Sequence, residues 1–416
     1  MNLKRKIATA IATGGLLLNL LSPAAFAATT IEISGNGSSS DNTTTVNQTQ
    51  SNTVVQNNNA TINNNVDATS NTGGNSANDN TGGSVTVDTG NARTTVDVTN
   101  RANSNTADVN NCNCSGDTTV KISGNGTSSD NNVNLDTTHT NSVFQTNTAN
   151  FNNRIDANAR TGDNRANDNT GGDVMVRTGS ATSDVTVNNA ANANTAMIGN
   201  GSGTHRGGTL SATISGNGSR SDNTIDLDIS NDSTIVQDNN ANFRNRIDAN
   251  SRTGDNRADD NTGGDVTIDT GNARSMVDID NMANFNSASS DCGCLLDLTA
   301  KISGNGTESD NRLTADLTND LSVFQGEERS GNRARFDNLV DANSRTGDNR
   351  SDDNTGVPHD GILVFTGNST SDHTISNEAN RNIFGPSTGA DFSLGGTSLD
   401  FSFNLNDLLG FLMLHR

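Results

Sequence analysis

The chain has 416 residues and a formal net charge of −21, and only 30% of its residues are hydrophobic. A surface this acidic repels nucleic acid and anionic lipid, so neither is expected as a partner. The chain contains no Trp and no Tyr, which removes the aromatic side chains that commonly stack on sugars and bases. Its polar composition is typical of disorder, but it has only three Pro residues and it is periodic, which favours a folded chain.

The N-terminus has the pattern of a secretory signal peptide. A basic segment at residues 4–6 precedes an apolar stretch at 7–21, and small residues lead to a cleavage point after Ala27. The apolar stretch is short for a membrane span. We therefore predict a signal peptide over residues 1–27, a secreted mature chain at a bacterial cell surface, and no membrane span after cleavage. An uncleaved anchor is the alternative.

The mature chain is built from tandem copies of one long unit. The pentapeptide Ile-Ser-Gly-Asn-Gly begins at Ile33, Ile122, Ile214 and Ile302, at separations of 89, 92 and 88 residues. Self-similarity at a fixed period is typical of repeat architectures. The predicted divisions are repeat 1 over 28–121, repeat 2 over 122–213, repeat 3 over 214–301, repeat 4 over 302–381 (degenerate at its end), and an apolar C-terminal cap or docking segment over 382–416.

Gly-containing turns also recur within each unit. In the first unit they begin at Ser34, Thr72 and Thr89, and the next begins at Ser123. These gaps are close to multiples of about 18 residues, and such turns favour corners between short strands. We therefore predict an all-β solenoid, or β-helix, with about five rungs in each repeat. About twenty rungs at the usual strand spacing would make a rod roughly 90 to 100 Å long.

The segment between the first two turns alternates between fixed and variable residues. Every second position from Val54 to Ser70 keeps its residue type in the later units, whereas the positions between them vary and are polar. Such a pattern predicts a half-buried strand. Its inward face carries amides, which can hydrogen-bond to like residues stacked one rung away. The predicted structural ladder is Gln56, Asn58, Asn64, Gln145, Asn147, Asn153, Gln237, Asn239, Asn245, Gln325, Asn332 and Asn338.

The same positions resemble the curlin repeat of bacterial amyloid-like fibres, which places Gln, Asn and Ala at alternating positions beside a Gly-rich turn. The matching stretches are Gln56-x-Asn58-x-Ala60, Gln145-x-Asn147-x-Ala149 and Gln237-x-Asn239-x-Ala241. The resemblance implies stacked rungs. It covers the rung alone, since the ninety-residue unit and its Gly-Asn-Gly and Thr-Gly-Asp-Asn turns depart from the curlin pattern.

Four cysteines form two Cys-x-Cys pairs, Cys112 with Cys114 and Cys292 with Cys294. In an exported protein disulfides are expected. In a long rod the two pairs would lie tens of ångströms apart, beyond disulfide reach. A bridge within each pair is therefore favoured, followed by bridges between subunits, and then by free or metal-bound thiols. Zinc is disfavoured because no His lies near either pair.

Acidic residues in the turns make a candidate calcium site. The six residues are Asp163, Asp168, Asp173, Asp255, Asp260 and Asp265. Calcium needs six to eight oxygen ligands, and the first unit has Gly74 and Ser84 in place of two of the carboxylates. The alternative is ordinary turn chemistry, with these carboxylates paired to Arg165, Arg257 and Arg350. No cofactor is predicted, and calcium is the one metal ion that the sequence leaves as a candidate ligand.

No motif indicates catalysis, because the five His residues never occupy equivalent positions in the units. We therefore expect a structural or adhesive surface protein that is not an enzyme: a stiff acidic rod or a fibre subunit of the cell surface or extracellular matrix. Self-association or contacts with other surface and matrix components are the expected interactions. The alternatives are a β-helix enzyme acting on carbohydrates and a calcium-dependent protein that resembles those of surface layers.

Overall fold

The computed structural model describes residues 29–109, 117–199, 209–291, 297–326, 331–356 and 361–385, and it is all-β. The described residues form seventeen strands. These are β1 Thr29–Ser34, β2 Asp41–Asn71, β3 Val85–Asp88, β4 Ala92–Val109, β5 Thr118–Ser123, β6 Asp130–Arg160, β7 Val174–Thr178, β8 Ala181–Gly199, β9 Thr209–Ser215, β10 Asp222–Arg252, β11 Val266–Thr270, β12 Ala273–Asp291, β13 Asp297–Ser303, β14 Asp310–Gln325, β15 Arg333–Arg345, β16 Ile362–Phe365 and β17 Ser369–Phe384.

The strands stack in four parallel sheets of repeated strands. The orders are β1-β5-β9-β13, β2-β6-β10-β14, β3-β7-β11-β16 and β4-β8-β12-β17, and β15 joins the second sheet beside β10. Like residues pair with like: Ile33 lies opposite Ile122, which lies opposite Ile214. This arrangement confirms the predicted β-solenoid class. We call β1–β4 the first rung, β5–β8 the second, β9–β12 the third and β13–β17 the fourth.

The predicted five rungs in each repeat are wrong. Hydrogen-bonded neighbours are separated by about 90 residues, as in the pairing of Asp41 with Asp130 and of Asp130 with Asp222, so one whole unit makes one rung. The Gly turns are corners of a single wide rung. Strand β2 alone runs for 31 residues, because no glycine interrupts the sequence between Gly37 and Gly73.

The predicted rod dimensions change with the rung count. Four rungs at the usual strand spacing give a stack about 19 Å thick rather than a rod of about twenty rungs. A strand of 31 residues spans about 100 Å. The long dimension of the molecule therefore runs along the strands and not along the stacking axis.

Within a rung, the chain folds back so that two sides face each other through their side chains. The second half of β2 faces β4, where the Nδ2 of Asn64 donates to the Oδ1 of Asn100 at 2.9 Å. The first half of β2 packs against β1 and β5, where Val46 shares an apolar cluster with Ile33 and Ile122. The sequence alternation explains this arrangement, since every second side chain of a strand points to the same face.

Aliphatic and aromatic residues alternate with the inward amides and stack in columns of their own. The rings of Phe151 and Phe243 are parallel within 6°, with centroids 4.7 Å apart, and Phe336 follows at 5.4 Å. Ile62 occupies the same place in the first rung. These side chains are buried in the two middle rungs and more exposed in the fourth, whose upper side has no described rung above it.

Several predicted features lie outside the described residues. These are the signal peptide at 1–27, all four cysteines, and most of the C-terminal segment, of which only 382–385 is described. The described residues beside the two cysteine pairs lie closer together than the predicted tens of ångströms. Val109 and Ser290 both occupy the register position of Ile198, on either side of it, so they are two rungs apart, or about 10 Å. Disulfide connectivity stays a prediction.

The described part of the chain contains no helix of the length and hydrophobicity needed to cross a membrane.

One glycine column tests the rung spacing. A Cβ on Gly162 would clash with the carbonyl oxygen of Gly254 in the rung above, whereas a Cβ on Gly347, at the top of the same column, meets nothing within 4 Å. We expect Gly162→Ala to lower the free energy of unfolding by about 3 kcal/mol or more, because the rungs must separate locally. Gly347→Ala should leave it nearly unchanged. Urea denaturation of dilute protein measures both, and equal losses would contradict the single-unit rung.

Candidate functional site

The glutamine column links all four rungs. The Nε2 of Gln145 donates to the Oε1 of Gln56 at 2.7 Å, Gln237 donates to Gln145 at 2.8 Å, and Gln325 donates to Gln237 at 2.9 Å. Each glutamine also donates across the core to a backbone carbonyl of the opposite side, at 2.9 to 3.0 Å. The column therefore joins successive rungs and also joins the two sides of each rung.

A second column contains Asn64, Asn153, Asn245 and Asn338. Each Nδ2 donates to the Oδ1 of the next asparagine above it at 2.7 Å. Asn153 also accepts from Asn100 at 2.9 Å and donates to Asn189 at 3.1 Å. Although Asn153 is fully buried, its amide has four partners, which offsets the cost of removing it from water.

The third predicted column, Asn58, Asn147, Asn239 and Asn332, is held chiefly by the opposite side. These residues donate to Asn105, Asn194, Asn286 and Asn382 at 2.5 to 2.8 Å. Within the column, Asn147 donates to Asn239 at 3.1 Å. The structure thus brings eleven of the twelve predicted ladder residues to the inward face of the strands, and the twelfth, Asn332, lies directly before β15.

Sequence reasoning missed the partner columns on β4, β8, β12 and β17. The missed residues share fixed positions in the four units, and they are Asn100, Asn105, Asn189, Asn194, Asn281, Asn286, Asn377 and Asn382. Aligning the return strands between units would have revealed them. A further column was hidden by a bulge: Asn103, Asn192, Asn284 and Asn380 have φ values of 60 to 64°, which breaks the period-two pattern.

The candidate calcium residues lie at turns and not in one cluster. Asp163 and Asp255 have φ of 61°, and Asp168 and Asp260 have φ of 57°. Asp265 donates its backbone N–H to the Oδ1 of Asp173 at 3.1 Å. Among the described residues, no three His, Cys, Asp or Glu side chains come together as a metal site would require.

Arginines from two rungs surround the first of these carboxylates in each turn. Asp163 is paired with Arg160 and lies 4.0 Å from Arg252, and Asp255 is paired with Arg252 and lies 3.8 Å from Arg345. The predicted partners were therefore wrong for Asp163 and Asp255. The arrangement is an ion-pair ladder, and it begins at the second rung because the first has Asn71 and Gly74 at these positions.

The outward face carries an in-register column of carboxylates. Asp67, Asp156, Asp248 and Asp341 lie one above another, at about 4.8 Å per rung. Burial raises the pKa of Asp248, a hydrogen bond from Asn250 opposes this shift, and the charges of Asp156 and Asp341 raise the pKa further. Like charges at this spacing disfavour the ionised form of Asp248.

The chain matches no family model, and no curated protein or solved structure is similar to it at a significant level.

The asparagine network predicts a position-dependent loss of stability. Asn153→Leu removes four hydrogen bonds and leaves neighbouring amides unpaired, so we expect the free energy of unfolding to fall by about 3 kcal/mol or more. Asn152→Leu is the matched control, because Asn152 is the exposed neighbour on the outward face and should shift stability by about 0.5 kcal/mol or less. Urea denaturation compares them, and equal shifts would refute a structural role for the column.

The carboxylate column predicts a pH-dependent effect of Asp248→Asn. Because its pKa is raised in the folded state, ionised Asp248 destabilises the fold above that pKa, and the penalty disappears as the pH falls through it. Asp248→Asn should therefore be more stable than wild type at neutral pH, with an advantage that shrinks on acidification. Asp67→Asn, at the end of the column, should gain less. A urea-midpoint series between pH 8 and pH 4 measures this, and a constant advantage would contradict it.

Proposed function

We propose that this chain is a secreted structural or adhesive protein of a bacterial cell surface or extracellular matrix, built from four tandem units that end in a C-terminal cap or docking segment. The observation that carries the proposal is the repetition of the inward amide columns from rung to rung. Repetition of this kind supports a scaffold, because an enzyme needs a constellation of unlike groups held in one place.

The inward columns support a passive, mechanical role. Amides that bond above, below and across the core fix both the rung spacing and the separation of the two sides, as in Asn153. Removing any rung leaves its neighbours with unpaired buried amides, which is costly. The fold therefore favours rigidity over the local opening that ligand exchange or catalysis uses.

The outward surface supports interactions with neutral or basic components. The formal charge of −21 includes the cations of the predicted signal peptide, so the mature chain is more acidic still. Its long outward faces consist largely of Thr, Ser, Asn and Asp side chains, which suit hydrated contacts with other surface or matrix components. Self-association is the other interaction that we propose.

The localisation is tested in cells that produce the protein with an epitope tag inserted in the described loop at residues 35–40. We expect intact cells to be labelled by antibody and the protein to be removed by external protease. A variant with Arg in place of Leu17 should remain inside the cell, because a charge in the apolar stretch blocks signal function.

Deletion of the gene should reduce attachment of cells to a surface or to each other, and the wild-type copy should restore it while the Leu17→Arg copy should not. Retention of the wild-type protein in the cytoplasm, or unchanged attachment after deletion, would reject the proposed function.

A further inference from the structure

Within the described residues, the two ends of the rung stack are unpaired and differ from each other. The lower edge of the first rung consists of β1–β4, and the upper edge of the fourth consists of β13–β17. Neither edge pairs with another described strand, so both expose rows of backbone N–H and C=O groups. Such edges invite pairing with another strand unless something blocks them.

The amide columns give the stack a direction. In five asparagine columns the lower residue donates to the upper one, as Asn64 donates to Asn153 and Asn100 donates to Asn189. The columns begin at Asn42, Asn64, Asn100, Asn103 and Asn105 and end at Asn311, Asn338, Asn377, Asn380 and Asn382. The fourth rung therefore turns Nδ2 donors upward, whereas the first rung turns Oδ1 acceptors downward.

The glutamine column has the opposite donor direction, and it also makes the two ends complementary. Each upper glutamine donates to the lower one, as Gln325 donates to Gln237. The upper end thus presents the Oε1 of Gln325, and the lower end presents the Nε2 of Gln56. In both column types, the first rung is the hydrogen-bonding complement of the fourth, and two identical ends placed together would set donor against donor or acceptor against acceptor.

Glycines at both ends leave room for a further rung. In the interior, glycine is required because a Cβ would strike the next rung, upward at Gly162 and downward at Gly126 and Gly179. The end positions of the same columns are Gly347 above and Gly37 and Gly90 below, and at these a Cβ would meet nothing within 4 Å. No described contact of a single molecule requires glycine there, whereas a molecule stacked on either end would require it.

Apolar and charged side chains at the two ends are also compatible. Leu313, Leu317 and Leu321 lie at inward positions of the fourth rung and are 46 to 60% exposed, so a rung above them would remove apolar surface from water. Among outward groups, Glu32 of the second copy would face Lys301 of the first. This contact would repeat the ion pair that Lys121 already makes with Glu32 at 2.9 Å within one copy.

We propose that the first rung of a second copy of this chain seats on the fourth rung in register, so that copies add head to tail along the stacking axis. The contact is about 100 Å by about 10 Å, or on the order of 2,000 Å² for both partners, which is the size of a stable interface. Because the two surfaces differ and the addition is translational, growth does not close and yields a filament. The inference rests on the proposed self-association and names its geometry.

The test uses the purified secreted protein and Gly347→Ala, with Thr318→Ala, an exposed outward change on the same rung, as the matched control. Wild type and Thr318→Ala should form filaments with one copy per about 19 Å, measured by mass per length in electron microscopy. Gly347→Ala should keep the monomer's circular dichroism and urea midpoint but stop growth, because its Cβ meets the backbone of the next copy.

A mixing experiment tests the direction. The first rung of Gly347→Ala can still dock on the fourth rung of wild type, but nothing can then dock on the variant. One part of variant in about ten parts of protein should therefore limit filaments to roughly ten copies, as expected for an open head-to-tail contact. The triple variant Gly37→Ala, Gly90→Ala and Gly347→Ala is blocked at both ends and should not shorten wild-type filaments.

Three outcomes would overturn the proposal. Filaments formed by Gly347→Ala alone would mean that another surface makes the contact. Monomeric wild type at all concentrations would mean that the ends do not pair. Filaments formed only after removal of residues 386–416 would mean that this segment occupies the fourth rung. If the stacking proposal fails, the protein can still be a monomeric surface protein with the proposed function. If the protein forms filaments but is retained in the cytoplasm, the proposed function is rejected and the stacking proposal stands.

Discussion

The fold depends on the hydrogen bonds that buried amides make to other amides, both one rung away and across the core. A chain that is 30% hydrophobic cannot form a conventional apolar core of this size, and isolated buried amides would oppose folding. In-register parallel stacking changes this balance, because asparagines and glutamines in the ladder columns meet identical side chains or facing amides at hydrogen-bonding distance. Asn153, with four amide partners, shows how a buried amide is satisfied by other amides.

This dependence makes the molecule a one-dimensional system. Each rung contacts only its neighbours, so stability is a sum of rung and interface contributions. The middle rungs bury Phe151 and Phe243, whereas the fourth leaves Phe336 partly exposed. We therefore expect the fourth rung to open first and the middle pair last. The ion pairs on the outer faces, such as Arg220 with Glu308 at 2.7 Å, contribute little to stability, because both partners are exposed.

The solenoid class and the inward face could be predicted from sequence, because the alternation from Val54 to Ser70 survives comparison between units. The rung count could not, because turns spaced by about 18 residues suggest a narrow coil unless the long interval without glycine before Gly73 is given more weight. The partner amides Asn100 and Asn105 were missed because they are not an even number of residues apart. Asn103, which lies between them in the left-handed region, adds one residue to the period-two pattern. The arginine partners of Asp163 and Asp255 come partly from the neighbouring rung, which linear spacing cannot show.

The length of β2 has a consequence for how the protein occupies space. Each added unit of about 90 residues extends the stack by only about 4.8 Å. Adding units therefore lengthens the molecule very little along the stacking axis. Each unit instead adds a strip about 100 Å long to the two facing sides, and the distance between those sides stays the same. The stack of rungs is therefore a flat strip and not a rod.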